Sequence, residues 1–305
     1  MMFYSALRGG TGLGLLLLPL VPLPTLIASL GWGLSAGVAA MLAGCAVIAG
    51  IAAPLVACGY ALLLGLPAIL VTHVLMLARY DAAGALTHWY PAGRVVWTLA
   101  LYGAALPVLL VALDGGSFDA VTPELMRAFK LFAVGAPAGS EWHTMSDQRL
   151  AELVAIGVQL MPAAISGYWT LLFAINVYLA GRIVRLSGLI ERPWPDLHWL
   201  TLPALAALVL VAGIVGIWIG GALNVIGTSA FGALLIAFLL QGLAVIHAMA
   251  HARAATWAIS ATYTALILVN GVAMTLIALL GVAETIFHLR RRIVPPPIAL
   301  PPGSL

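Results

Sequence analysis

Charged residues are so sparse along this chain that they divide it into long, almost purely apolar stretches. Between Arg8 and Arg79 there is no Asp, Glu, Lys or Arg. A helix that crosses the roughly 30 Å of bilayer hydrocarbon needs about 20 mostly apolar residues, so this stretch is long enough for three crossings. Applied to the whole chain, the spacing of charges predicts eight spans, near residues 12–30, 34–53, 56–78, 95–113, 153–181, 199–219, 225–249 and 254–284.

The apolar stretches predict helices and not the strands of a β-barrel. Barrel strands alternate apolar and polar residues over about ten positions, and the sequence shows no such alternation. A helix in lipid satisfies its backbone polar groups within its own segment. The predicted fold class is therefore all-α, a polytopic transmembrane helical bundle of about eight spans that forms a single integral membrane domain over residues 1–292.

Two segments outside the spans have a different pattern. A Thr-Pro-Glu run opens residues 122–134, and proline is favoured at the first position of a helix. Apolar residues then recur at helical spacing opposite Arg127 and Lys130, which predicts one interfacial amphipathic helix lying on the membrane. Residues 293–305 are rich in proline, so we expect an extended tail there.

Composition supports a membrane protein and excludes most soluble classes. Hydrophobic residues make up 63% of the 305 residues and charged residues only 8%, whereas soluble domains carry about 25% charged residues. So few charges cannot cover a water-facing surface, and the formal net charge of +3 gives no basic face for nucleic acid. The expected partner of most of the surface is the lipid bilayer.

Polar side chains within predicted spans face the bundle interior by default and are therefore candidates for a binding site. In the fifth span they repeat at steps of three and four, which places them on one helix face, and a similar stripe follows the eighth span. Facing stripes would line a polar cavity for a small solute; alternatively, these side chains only hydrogen-bond neighbouring helices, as in most membrane bundles. The candidate substrate-binding residues are Gln159, Ser166, Trp169, Asn176, Gln241, His247, Tyr263 and Asn270.

Three prolines, Pro19, Pro22 and Pro24, interrupt the first predicted span. A helix broken inside the membrane frees backbone groups that can coordinate a substrate, as in secondary transporters. A tolerated kink whose free backbone groups are satisfied by neighbouring helices is the alternative. The sequence leaves both interpretations open.

The chain shows no pattern for catalysis or for a bound metal. His247 and His251 are four residues apart, but no glutamate follows the first histidine, so the HExxH zinc motif is missing. A Walker motif is also missing. Gly33-Leu34-Ser35-Ala36-Gly37 has the GxSxG spacing, but it follows no predicted strand, which is the context that motif needs. We therefore expect no catalytic residues, no metal and no cofactor, and a protein that is not an enzyme.

Several motifs spread along the chain together carry a family resemblance. The most specific is the Gln-Gly-Leu-Ala-Val-Ile-His run at 241–247. The others are Trp89-Tyr90-Pro91 with Gly93-Arg94, Arg185-Leu186-Ser187-Gly188, Leu197 to Pro203, Leu223-Asn224, Leu280-Gly281 and Leu289-Arg290-Arg291-Arg292. The chain resembles the YybS-like family of predicted bacterial membrane proteins, a domain of unknown function. The resemblance implies a multi-pass protein of the bacterial inner membrane, distantly similar in fold to the substrate-binding subunits of vitamin-type uptake transporters, and it implies no substrate.

From these observations we expect a protein that binds or transports a small solute in a cavity lined by the fifth, seventh and eighth spans. Energy for transport would come from a partner ATPase module or an ion gradient, because the chain has no nucleotide-binding motif of its own. A scaffold that recruits other membrane proteins is the alternative function.

Overall fold

The computed structural model of this protein describes residues 17–113, 118–135, 137, 139–190 and 192–290. Most of these residues are helical, and a two-stranded hairpin supplies the strands among them. The predicted all-α class is thereby confirmed. The start of the first predicted span and the predicted tail 293–305 lie outside the described residues.

Short connections join most of the helices. In chain order the helices are α1 (Leu23–Trp32), α2 (Leu34–Ile51), α3 (Pro54–Tyr60), α4 (Leu66–Met76), α5 (Ala92–Leu113), α6 (Thr122–Gly135), α7 (Glu141–Thr144), α8 (Asp147–Leu186), α9 (Ala204–Ile219), α10 (Ala222–Ala252), α11 (Trp257–Leu268) and α12 (Asn270–Phe287). Turns of 3-10 helix lie at Leu18–Leu20, Phe118–Val121 and Leu197–Trp199, and a π-helical turn at Ala61–Gly65 joins α3 to α4. The strands are β1 (Ala78–Tyr80) and β2 (Leu86–Trp89).

Several of these helices have the length and apolarity that a membrane crossing needs. Among the described residues, five segments qualify: α2, the continuous run Pro54–Leu75, α5, α8 and α10. Shorter apolar helices occur in α1, α9, α11 and α12. A helical membrane bundle is therefore confirmed, while the count of eight spans stays a prediction.

Helix α10 is the centre of the bundle and packs against α5, α8, α9 and α12. In its most apolar window 61% of the residues are buried inside the protein, against 17% for α2. Glycines allow this close packing: a Cβ at Gly232 would overlap the backbone of Ala163 in α8, and a Cβ at Gly242 would overlap that of Ile277 in α12. Small residues at helix contacts are the usual means of close approach between helices in lipid.

Two predicted spans differ in length or continuity from the helices that the structure has at the same positions. The predicted span 153–181 corresponds to the 40-residue helix α8, whose length of about 60 Å is twice the hydrocarbon thickness. The predicted span 254–284 is interrupted at Val269, whose φ of −128° and ψ of 41° lie outside the helical region. Asn270 and Gly271 follow there, and both residue types have low helix propensity.

Helix α6 has nearly the bounds that the sequence predicts, since it covers Thr122–Gly135 against an expected 122–134. It has no buried residue, and Leu131, Phe132 and Val134 are each more than half exposed. Its Lys130 Nζ lies 3.2 Å from Asp147 Oδ1 at the start of α8. The amphipathic helix is confirmed, and its place on the membrane surface stays a prediction.

The predicted connection at 79–94 contains structure that the sequence analysis missed. Strands β1 and β2 pair antiparallel, with Ala78 opposite Trp89 and Arg79 opposite His88. Asp81 Oδ1 closes the turn by accepting hydrogen bonds from the backbone N–H groups of Ala83 (2.9 Å) and Ala85 (2.8 Å). This polar hairpin follows α4 and leads into α5.

Candidate functional site

Polar residues from distant parts of the chain meet at one end of the bundle, where α4, α8 and α10 end and α5 begins. Contacts join these parts: Gly93 lies against the backbone of Thr201, and the His198 ring is 5.2 Å from that of His251. We call this the arginine-rich end. Among the described residues, its arginines are Arg79, Arg94, Arg182, Arg185, Arg192, Arg253 and Arg290.

The loop that follows α8 is fixed to this end by Arg192, which is buried. Its guanidinium donates to the carbonyl oxygen of Tyr90 at 2.7 Å and to that of Leu75. Burial lowers the pKa of this guanidinium below its ordinary value, but an arginine stays protonated in proteins. Arg192 therefore ties the loop to the ends of α4 and β2.

The next part of the loop is held by a buried ion pair between Arg290 and Glu284. Arg290 Nε lies 2.9 Å from Glu284 Oε1, and both side chains are at most 4% exposed. The Arg290 guanidinium also donates to Leu200 O at 2.8 Å and Thr201 Oγ1 at 2.9 Å. A buried charge is tolerated only when it is paired and hydrogen-bonded, and this arrangement meets that condition.

Gln241 in α10 completes this set of contacts. Its Oε1 accepts from the backbone N–H of Leu202 at 2.6 Å, and its Nε2 donates to Gly281 O and to Thr285 Oγ1, both at 2.8 Å. The side chain is fully buried. We call Gln241, Glu284, Thr285 and Arg290 the anchor cluster, because they join the loop, α10 and α12.

Beside the anchor cluster lies a cavity of about 820 Å³. Its walls come from the ends of α4 and α5, from α8, α10 and α11, and from the loop at 194–200. The part between the helices is apolar, with Val95, Leu99, Ala174 and Leu240 among its lining residues. The cavity thus extends from the arginine-rich end inward between the helices.

The polar lining groups come from the ends of α8 and α10 and from the loop, at the arginine-rich end of the cavity. We call them the rim: Arg182, Arg185, Trp194, Asp196, His198 and His247. Asp196 Oδ1 lies 2.6 Å from His198 Nδ1 and also accepts from the His198 backbone N–H. His247 Nδ1 donates to Leu243 O at 2.8 Å, so its Nε2 is left as an acceptor in the neutral ring. Arg182 and Arg185 form no ion pair with a residue that the structure describes.

Trp194 forms one wall of the rim, and Gly181 makes room for it. A Cβ at Gly181 would overlap the six-membered ring of Trp194, and the Tyr178 ring lies 6.4 Å away in an edge-on arrangement. Trp194 Nε1 is buried and has no hydrogen-bond partner among the described residues. An indole N–H usually finds a partner when it is buried, so this donor is unsatisfied among the described residues.

The structure brings two of the predicted binding residues to this cavity and places most of the others elsewhere. His247 and Tyr263 line it, with their rings 5.8 Å apart. Gln241 lies in the anchor cluster, and Gln159 is exposed on the outside of α8. The side chain of Asn270 lies outside the described part of the chain.

Apart from Gln159, the predicted stripe of the fifth span faces inward, and its polar donors bond within the bundle. Ser166 Oγ donates to Ser229 O at 2.8 Å and Trp169 Nε1 to Leu63 O at 2.8 Å. Asn176 Nδ2 donates to the carbonyl oxygen of Pro19, also at 2.8 Å. A carbonyl in the proline-rich first segment is thus satisfied by a neighbouring helix, as the kink interpretation expects. The predicted stripe of the eighth span consists of Thr256, Ser260, Tyr263 and Asn270. It does not oppose the first stripe, because Thr256 and Ser260 are exposed.

The sequence analysis missed Arg182, Arg185, Trp194 and His198 as site residues. A signal was present: Arg182 and Arg185 continue the face of α8 that carries Ala174 and Tyr178, at steps of four, four and three. The arginines were interpreted only as charges that limit a span. No comparable signal marks Trp194 and His198, which lie in an irregular loop.

No group of three or more His, Cys, Asp or Glu residues suited to hold a metal occurs in the part of the chain that the structure describes. The rim carries two guanidinium groups and two imidazoles that can offer charge and hydrogen bonds to a bound molecule. The helices behind it offer apolar contact.

Comparison with known proteins adds a family to this description. No curated protein matches the chain, and no solved structure matches it either. A family model described as "Predicted membrane protein (DUF2232)" matches residues 11–285, which include every helix from α1 to α11 and nearly all of α12. The chain therefore belongs to this family of predicted membrane proteins.

Proposed function

We propose that the protein binds a small solute in the cavity at the arginine-rich end, without catalysing a reaction. The observation that carries this proposal is a cavity of about 820 Å³ with apolar walls and a few polar groups at its opening. Binding sites for small molecules are typically concave, apolar and about 300–1,000 Å³ in volume, with a few polar groups that orient the ligand. His247 and Tyr263 are the predicted contacts that this site retains.

The resemblance to YybS-like proteins supports a more specific proposal. On that resemblance, the protein lies in the bacterial inner membrane and hands its solute to a transport process, with an ATPase module as the partner that supplies energy. The anchor cluster is consistent with this, because it holds the loop at the cavity opening in place while leaving the rim accessible. Copurification of an ATPase with the protein from its native membranes tests the partner separately from the binding site.

Ligand retention tests the binding proposal. The protein is purified in a mild detergent and examined by native mass spectrometry for a bound small molecule. Ala174→Phe places a ring in the cavity, whereas Ala164→Phe makes the same change at an exposed position of the same helix. We expect a bound molecule in the wild type and in Ala164→Phe and none in Ala174→Phe. Equal retention in both variants would contradict the site.

A scaffold function is the second candidate, and the exposed apolar face of α6 favours it. Leu131, Phe132 and Val134 contact no core cluster of the described bundle, so this face is available to lipid or to another protein. If a membrane protein copurifies in stoichiometric amount, and Phe132→Glu abolishes that association while no small molecule is retained, the scaffold proposal replaces the binding one.

A further inference from the structure

We propose that the ligand of the cavity is a single-chain anionic amphiphile, a molecule with one hydrocarbon chain and an anionic head group such as a phosphate monoester. This inference rests on the proposed function, since it names the chemical class of the solute. It is carried by the distribution of charge and apolar surface along the cavity walls.

Helix α8 presents one continuous face to the cavity, and that face changes character along its length. Ala174 and Tyr178 line the part of the cavity toward the middle of α8, and Arg182 and Arg185 line the part toward the end of the helix. Their spacing keeps all four on the same side of the helix. A ligand lying along this wall would meet apolar surface at one end and two positive charges at the other.

Helix α10 repeats the same order on the opposite wall. Leu240, Leu243 and Ala244 line the inner part and His247 the opening. On both walls, apolar residues are followed by basic or polar residues. This distinguishes the cavity from a uniformly polar pocket, where a hydrophilic solute would bind. The same order also distinguishes it from a uniformly apolar one, where no charged head group would be stabilised.

The charges of the rim favour an anion over a cation. Asp196 is the carboxylate among the described lining residues, and it is already bonded to His198 at 2.6 Å. Arg182 and Arg185 have no carboxylate partner in the described chain, and a guanidinium binds phosphate or carboxylate oxygens with two parallel hydrogen bonds.

The position of the cavity along α5 explains why a hydrocarbon chain would fit. Helix α5 has 22 residues, so it is about 33 Å long and matches the hydrocarbon thickness of a bilayer. Ala92, its first residue, and Leu99 both line the cavity, which therefore reaches about 10 Å inward from the end of this helix. The rim lies at the level expected for lipid head groups, and the apolar walls lie at the level of the acyl chains.

The experiment compares three probes on the full-length protein in nanodiscs of phosphatidylcholine. Decyl phosphate has the chain and the charge, decanol has the chain alone, and inorganic phosphate has the charge alone. Binding is measured by isothermal titration calorimetry, with the heat of partition into empty nanodiscs subtracted. We expect decyl phosphate to bind at least about tenfold more tightly than either of the others, because charged hydrogen bonds and apolar burial each contribute.

Two double variants separate recognition by the rim from a general effect of positive charge. Arg182→Gln with Arg185→Gln removes both rim arginines, and Arg79→Gln with Arg253→Gln removes two exposed arginines of the same end that do not line the cavity. Decyl phosphate affinity should fall at least about tenfold in the first and stay within about twofold of wild type in the second. Circular dichroism and thermal melting confirm that both variants are folded.

The outcomes also separate this inference from the proposed function. If decyl phosphate binds no better than decanol, or if the two double variants behave alike, the anionic amphiphile is wrong. The proposed function still holds in that case if a copurified molecule is retained by the wild type and lost in Ala174→Phe. If inorganic phosphate binds as tightly as decyl phosphate, the ligand is a soluble anion, and the hydrocarbon chain is not recognised.

Discussion

The anchor cluster and the rim lie side by side at the arginine-rich end, yet they differ in how many of their polar groups have hydrogen-bond partners. In the anchor cluster, Gln241 has partners for both its amide oxygen and its amide nitrogen, and Arg290 has an ion pair and several further acceptors. In the rim, Arg182, Arg185 and the Trp194 N–H have no hydrogen-bond partner in the described chain. Polar groups that already have hydrogen-bond partners stabilise a fold. Polar groups at a cavity that have no partner can bond to a ligand. The difference predicts that mutations in the first cluster reduce stability and mutations in the second reduce binding.

The largest effect on stability is expected from Arg290→Met. This change leaves Glu284 buried without its partner, and breaking a buried ion pair by removing one charge costs about 3–5 kcal/mol. The free energy of unfolding in detergent should fall by that amount. Adding Glu284→Gln should recover part of the loss, because the unpaired charge is then gone; a double variant as unstable as the single one would show that the charge is not the cause.

Gln241→Leu should be the next most damaging change. It leaves the Leu202 N–H and the Gly281 carbonyl without their side-chain partner, at roughly 1–3 kcal/mol for a buried unsatisfied group. Thermal melting in detergent measures the loss. The matched control is Gln159→Leu, which lies at an exposed position and should change stability by less than about 0.5 kcal/mol.

Gly181→Ala acts on the rim. The added methyl overlaps the Trp194 ring, so Trp194 must move away from α8, and overpacking of this kind costs about 1–3 kcal/mol. We expect a modest fall in the melting temperature together with a loss of the retained molecule. Gly50→Ala, in α2, meets open space and lies outside the cavity walls, so it should leave ligand retention unchanged.

The smallest effect on stability is expected from Arg182→Gln, because this side chain is exposed and has no described partner. Its free energy of unfolding should stay within about 0.5 kcal/mol of wild type, while ligand retention falls. A large loss of stability would show that Arg182 stabilises the fold as the anchor cluster does. The distinction between the two regions would then be wrong.

Much of the fold follows from the sequence because lipid imposes a strong constraint. The spacing of charged residues predicts the helical bundle, and the amphipathic pattern predicts α6 to within one residue. The break at Val269 and the hairpin of β1 and β2 were not predicted. The first depends on local backbone preference inside an apolar run, and the second on a short polar segment whose pairing is set by its Asp81 turn.

The candidate site was predictable only in part. Sequence periodicity shows which residues share a helix face, and it placed Ser166, Trp169 and Asn176 on the inner face of α8. It does not show which inner residues find partners. Gln241 was chosen as a ligand contact because it is polar and within a span, but its partners come from a loop and from α12, 39 to 44 residues away in sequence.

Density in the cavity is the most direct test of the account. A cryo-electron microscopy structure of the protein, purified in nanodiscs with lipids from its own membrane, would show the space between α5, α8 and α10. We predict an elongated density along the inner wall of α8, with its broader end beside Arg182 and Arg185. A cavity that is empty, or closed by Trp194 and Tyr178 packing into it, would contradict the claim that this site binds a solute.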